Sequence, residues 1–475
     1  MQKRWFCLTL LAILSPVGFA SDSPVTTAVN PSVTESQTLN AATTVTAQQP
    51  PVKPQTTAPV TITKQSPPHS LKTLLTLASA DPTEAAAQKK LKDKVTRSIE
   101  HYENEIVNIE SQDGVYEGRI EEQLLSLGLA QQYMGKHEKA IKIYKRAIHL
   151  NRINEGLYST SQIPIIKRLI NSHMAMAQWS KVDERYQYLY WLSKQNYGED
   201  DIRLLPTLNQ LSKWHLQAYA MGIGKDSDTV TTHLVEAYGM FEKSVELLSN
   251  QYGPNDQRLI DDLNGLTLSN YFFATFQKLP LEQHGSNVVS DIGMRRSTQM
   301  INQFIANSFR RGKESLARVI DIHANDENAT PWAVAKAKVK MADWLLMFNK
   351  RNSAIELYQE AYNSLTDEET QLERSKMFGH PVALPHLDML ENNTYSEVDE
   401  RQYDKQRDYV LASFDVTPQG KTTNIEILES QPVDNTSVRS RVKKSLRLAR
   451  FRPRFIEGEP VFSEKVTLRI LSPQR

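Results

Sequence analysis

The sequence predicts a mostly α-helical chain, an α-solenoid of stacked helix pairs, followed by a small C-terminal α+β domain of β-β-α-β order. Three observations lead there. From Leu71 to about Leu365 apolar residues recur at helical spacing. Within that stretch a pattern of small and aromatic residues returns at an offset of about 42 residues, the mark of stacked repeats. Beyond Asp408 the period falls to two, returns to helical between Thr436 and Arg450, and falls to two again before the end.

The chain opens on Lys3 and Arg4, then an apolar run from Trp5 to Leu14, then Gly18-Phe19-Ala20 before Ser21. A short positive region, a short apolar core and small residues describe an export signal over residues 1–20, cleaved before Ser21. The run is well short of the roughly 20 residues that a spanning helix needs. The expected location is the periplasm, with inner-membrane anchoring if the signal is retained. Cys7, the single cysteine, lies inside this signal. The mature chain therefore has no thiol, which excludes disulfide scaffolding and thiol chemistry and suits an oxidising compartment. Residues 21–70 are rich in Thr, Pro, Gln and Ser with few large apolar residues, so they are expected to form a disordered linker.

Residues 71–370 carry the repeats. Leu127-Gly128, Gly135, Ala140, Tyr144 and Ala147 set the pattern, in which small residues let two antiparallel helices approach and Tyr144 fills the groove between them. The offset carries Gly135, Ala140 and Tyr144 onto Ala177, Val182 and Tyr186. Ala237, Phe241 and Ser244 continue the series, after an inserted Gly222–Thr231 loop, and Ala342, Ala354, Tyr358 and Ala361 end it. Between about Leu279 and Ala329 no repeat phase can be assigned. The spacing resembles that of tetratricopeptide (TPR) repeats in a longer form, which implies a curved array that binds a partner protein.

In residues 380–475, Val410, Ala412, Phe414 and Val416 alternate as a strand, and Thr417-Pro418-Gln419-Gly420 is a turn. Thr423, Ile425 and Ile427 make a second strand. Val438, Val442, Leu446 and Ala449 share one helical stripe, and Glu464–Leu471 is the third strand.

Phe414-Asp415-Val416-Thr417-Pro418-x-Gly420, Arg450-Phe451-Arg452-Pro453 and Gly458-x-Pro460-Val461 stand in the order found in the C-terminal domain of TonB, the energy transducer of Gram-negative bacteria. The resemblance covers about a fifth of the chain. Ala449 stands where that family usually has Trp. The likeness implies that an extended "Ton box" peptide of an outer-membrane receptor adds as a strand along Lys465, Val466, Thr467, Leu468, Arg469 and Ile470, with Lys465, Thr467 and Arg469 adjusting specificity. It also implies an indirect link to the proton-channel proteins ExbB and ExbD. A direct link is not expected, because the apolar segment holds Ser15 but no His.

Other chemistry finds little footing. The 56 basic and 55 acidic residues create no net field for nucleic acid. The eleven histidines are scattered, and none forms HExxH or a cluster with carboxylates in the sequence, so no metal and no cofactor is expected. His380 and His386 bracket a Pro-containing linker. Gly222-Ile223-Gly224-Lys225 lacks the Ser or Thr that a phosphate loop requires, since Asp226 follows. No nucleophile elbow or catalytic set occurs, so the chain is read as a non-enzyme. Arg439, Arg441, Lys443, Lys444 and Arg447, continued by Arg450, Arg452 and Arg454, run without an acidic residue. They form either the solvated face of an amphipathic helix or a patch for an acidic partner. The expected function is a periplasmic TonB-like adaptor in TonB-dependent transport, the alternative an envelope scaffold with no part in energy transduction.

Overall fold

The computed structural model describes residues 83–224, 227–275, 288–385, 409–431 and 436–471. The expected signal, the linker and His386 lie outside them. Helix α1 (Thr83–Asp113) begins in one compact unit, which ends at Arg97; everything described from Ser98 onward belongs to another.

Five helix pairs follow: α2 (Arg119–Tyr133) with α3 (His137–Asn154), α4 (Gln162–Ala175) with α5 (Trp179–Tyr197), α6 (Leu205–Ala220) with α7 (Ser227–Tyr252), α8 (Leu259–Ala274) with α9 (Val288–Ala324), and α10 (Pro331–Met347) with α11 (Arg351–Asn363). Each helix packs chiefly on its neighbours in the chain, the arrangement of a solenoid, and α12 (Glu368–Phe378) follows the last pair.

The repeat has a local cause. Gly135, Ala177, Gly222 and Asn349 all take positive φ just after the first helix of their pairs. In each case the next amide reaches a carbonyl one turn back: Lys136 to Gln131 at 2.9 Å, Gln178 to His173 at 2.9 Å, Ile223 to Ala218 at 2.8 Å and Lys350 to Leu345 at 2.8 Å. This left-handed stop satisfies carbonyls that the helix end leaves open. Gly222 thus ends a helix.

Packing repeats as well. A Cβ on Gly128 would lie 2.3 Å from the Tyr144 ring, and one on Gly265 equally close to Phe241. A Cβ on Gly312 would lie 2.2 Å from Trp344. The stretch without an assignable phase holds α9, which runs for 37 residues, far beyond a repeat's usual element.

The C-terminal module is an antiparallel sheet of β2 (Tyr409–Val416), β3 (Thr422–Gln431) and β7 (Ser463–Leu471) in the order β3-β2-β7. Helix α13 (Thr436–Leu448) packs on it. Val410, Ala412, Phe414 and Val416 are buried against Val442, Leu446, Ala449, Phe451 and Ile470. The β-β-α-β core is thus as expected. Other short strands go beyond the sequence reading: β1 (Val382–Leu384) pairs with β4 (Arg450–Arg452), and β5 (Arg454–Ile456) with β6 (Glu459–Val461). Glu457 and Gly458, both at positive φ, make the two-residue turn that a tight hairpin favours.

Candidate functional site

The sheet edge comes first. Among the described residues β7 is flanked by β2 on one side only. Val466, Leu468 and Ile470 face the core opposite Phe414, Ala412 and Val410, while Thr467 and Arg469 are exposed. The Arg469 guanidinium lies 4.2 Å from the centre of the Tyr409 ring, whose hydroxyl bonds Glu429.

Lys465 does not belong to this alternation. Its φ is +52°, at a bulge where the register with β2 slips between Phe414 and Val416. Its N–H donates to Asp415 Oδ1 at 2.9 Å, and Asn424 donates to Oδ2 at 2.6 Å. The Lys465 amide and the Asn424 side chain hold the Asp415 carboxyl below its ordinary range. Lys465 therefore falls outside the outward row of Thr467 and Arg469 with which the sequence grouped it, because a left-handed residue interrupts the two-residue period.

Behind the edge, the motif Arg450-Phe451-Arg452-Pro453 fastens the module to the solenoid. Arg452 is 5% exposed, and its guanidinium grips Asp343 of α10 with two bonds of 2.9 and 2.6 Å. It also donates to the Met377 carbonyl at 3.1 Å. Tyr358 Oη donates to Asp343 at 2.6 Å. Burial opposes the charge on Arg452, yet Asp343 outweighs it and the guanidinium pKa rises. Burial first, and then the Asp343 charge, push Tyr358 well up. Such a pair adds little compared with an apolar substitute, but losing one partner strands a buried charge. Arg450 bonds Asn349 Oδ1 at 3.0 Å. Phe455 packs at 5.2 Å from Phe378 and 5.6 Å from Tyr358, inside the core of the last repeats. Beside Arg452 a cavity of about 250 Å³ is lined by Lys336, Lys340, Lys376 and His380 among others, so His380 belongs to this junction.

The basic run divides. Arg441, Lys444 and Arg447 are exposed on α13, and Arg439 and Lys443 are half-buried, while Val442 and Leu446 point inward. This is the amphipathic face. Arg452, read in sequence as a continuation of the basic run, is instead neutralised inside the protein.

Two features escape the sequence reading. Exposed Tyr158 and Trp191 meet edge-on at 5.5 Å, with Tyr188 on the same indole at 5.7 Å, an aromatic surface of the kind that binds partners. The second corrects the expectation that no histidines gather with a carboxylate. Asp183 of α5, His215 of α6 and His233 of α7 bring their ligand atoms within 4.8 Å of one another. His215 Nδ1 and His233 Nδ1 are 2.8 Å apart. Trp214 Nε1 donates to Asp183 Oδ1 at 3.1 Å, and Gln187 to Oδ2 at 3.0 Å. Burial, helped by His233 and opposed by Asp183, takes His215 down to about 4. Burial also lowers His233. The three residues sit 18 or more positions apart on separate helices, so no local motif announces them.

No family model matches the sequence, and no curated protein matches it. Solved structures do. BtubC (BKLC) from P. vanneervenii is 16% identical over 61% of this chain and 91% of its own, with a TM-score of 0.35. A Podosopora anserina putative kinesin light chain with nearly identical TPR-like repeats is 12% identical over 54% and 97%, at 0.36. Likeness at this level assigns no function.

Proposed function

We propose that this protein is a periplasmic adaptor of TonB-dependent transport, in which the C-terminal sheet takes a strand from an outer-membrane receptor while the repeat array holds a second protein. The observation that carries the reading is the one-sided β7, together with the resemblance of residues 408–461 to the TonB C-terminal domain. An added strand gains main-chain hydrogen bonds along the edge, and exposed Thr467 and Arg469 contribute selectivity. Any contact with ExbB and ExbD is indirect.

The test is titration of the full-length chain with Ton-box peptides, repeated on Thr467→Pro and Leu468→Pro. Adjacent amides in a strand point to opposite sides, so one of these prolines removes an outward donor. Peptide binding that one proline abolishes, with the fold intact by circular dichroism, is expected. Absence of binding by any receptor peptide would sink the transport reading and leave the envelope scaffold, which the repeat array alone supports.

A further inference from the structure

We propose that Asp183, His215 and His233 bind one first-row divalent metal ion, zinc fitting best, and that the ion ties the second helix of one repeat to both helices of the next.

The donor set is two imidazole nitrogens and a carboxylate oxygen, with no thiol, which suits a borderline ion of the zinc type over calcium or magnesium. Zinc accepts three protein ligands in a tetrahedron and leaves a fourth position for water. Nitrogen ligands at about 2.0–2.1 Å from zinc stand about 3.3 Å apart in such a tetrahedron. The two Nδ1 atoms are at 2.8 Å and every pair of ligand atoms lies within 4.8 Å, so small ring and carboxylate rotations reach that geometry.

The surroundings also fit. His215 and His233 are 5% and 6% exposed and fixed by packing, while Asp183 is only half-buried and gives the ion a way in. The Trp214 indole aims Asp183 from outside the ligand set, the orienting contact that metal carboxylates usually have. Burial and then the charge of Asp183 raise the Glu236 carboxyl, one turn beyond His233. Burial lowers the pKa of both imidazoles and so favours the uncharged form that ligates. In the ion-free pair one Nδ1 carries the shared proton. Coordination moves that proton to Nε2 of the same ring and frees both lone pairs, with no net proton release.

The experiment uses the full-length chain without an affinity tag, stripped with EDTA and freed of chelator. Zn²⁺ is titrated by calorimetry, and Co²⁺ serves as a visible probe of coordination. Expected are one ion per chain, four-coordinate Co²⁺ bands, and a rise in the unfolding midpoint that EDTA reverses. Asp183→Asn is expected to weaken binding by at least about tenfold, the lower end of what even an outer-shell partner contributes. His233→Asn is expected to abolish it. If His233→Asn fails to fold, Asp183→Asn alone decides, because its half-buried amide preserves shape. Equal stoichiometry and affinity in the wild type and Asp183→Asn, or no binding by the wild type, would overturn the proposal.

Discussion

Replacing Asp343 by Ala tests the junction between repeats and module most directly. The change removes two of the three acceptors of Arg452 and the acceptor of Tyr358 at a site where Arg452 is 5% and Asp343 2% exposed. Arginine does not shed its proton, so a full charge stays buried with only the Met377 carbonyl and the Tyr358 hydroxyl beside it. Breaking a buried pair in this way costs about 3–5 kcal/mol, a large share of the about 5–15 kcal/mol that holds a domain together. The double variant Asp343→Leu with Arg452→Met leaves no buried charge. It is expected to return to within about 2 kcal/mol of wild type, less than the single change Asp343→Ala costs. Urea unfolding reads this out, followed by circular dichroism and by tryptophan fluorescence, because Trp344 is buried next to Asp343 in the same helix. Agreement of the two signals checks that one transition is being measured. A cost below about 1 kcal/mol for Asp343→Ala, or a double variant as damaged as the worse single one, would refute the argument.

Other outcomes follow from the same contacts. Gly420→Ala meets both a φ of +71° and the Phe451 carbonyl oxygen at 2.2 Å, so it should lose more than about 1 kcal/mol in the same assay. Gly128→Ala should gain about 1 kcal/mol of helix propensity but lose more, by about 1–3 kcal/mol of overpacking. The Tyr144 ring it strikes is fully buried and its hydroxyl is held by Gln132 at 2.7 Å, so the ring cannot step aside. Asp262 is held at about 7 by burial and by neighbouring Asp261. Its folded pKa exceeds the unfolded one, so stability is full below about pH 4 and is lost as pH rises through 7. Asp262→Asn should therefore be the more stable protein at pH 8, by no more than about 4 kcal/mol, and the advantage should vanish by pH 4 in pH-dependent thermal melts.

Legibility in the sequence followed the range of the interaction. Helix pairs and the β-β-α-β core were readable because their signals lie within one element or between neighbouring ones: Gly128 against Tyr144, Val410 to Val416 in alternation. Helix α9 was not, since a 37-residue helix drifts out of the repeat's phase. The edge strand was readable, but the bulge at Lys465 was not, because a side chain on the neighbouring strand, Asp415, holds it. The meaning of Arg452 lay 109 residues away in Asp343, and no periodicity reports that. The same holds for Asp183, His215 and His233, which only the stacking of successive helices brings together.

Phe455 has a consequence for how the chain can be divided. A repeat array exposes an apolar end wherever it stops, and solenoids close that end with a unit whose outer face is polar. Here the β5–β6 hairpin inserts Phe455 among Tyr358, Tyr362 and Phe378, and its other side presents Arg454, Glu457 and Glu459 to water. The C-terminal module is thus also the lid of the solenoid. A truncation ending near residue 379 would yield a chain with an open, adhesive end, and any lost interaction would reflect aggregation as much as a missing binding surface.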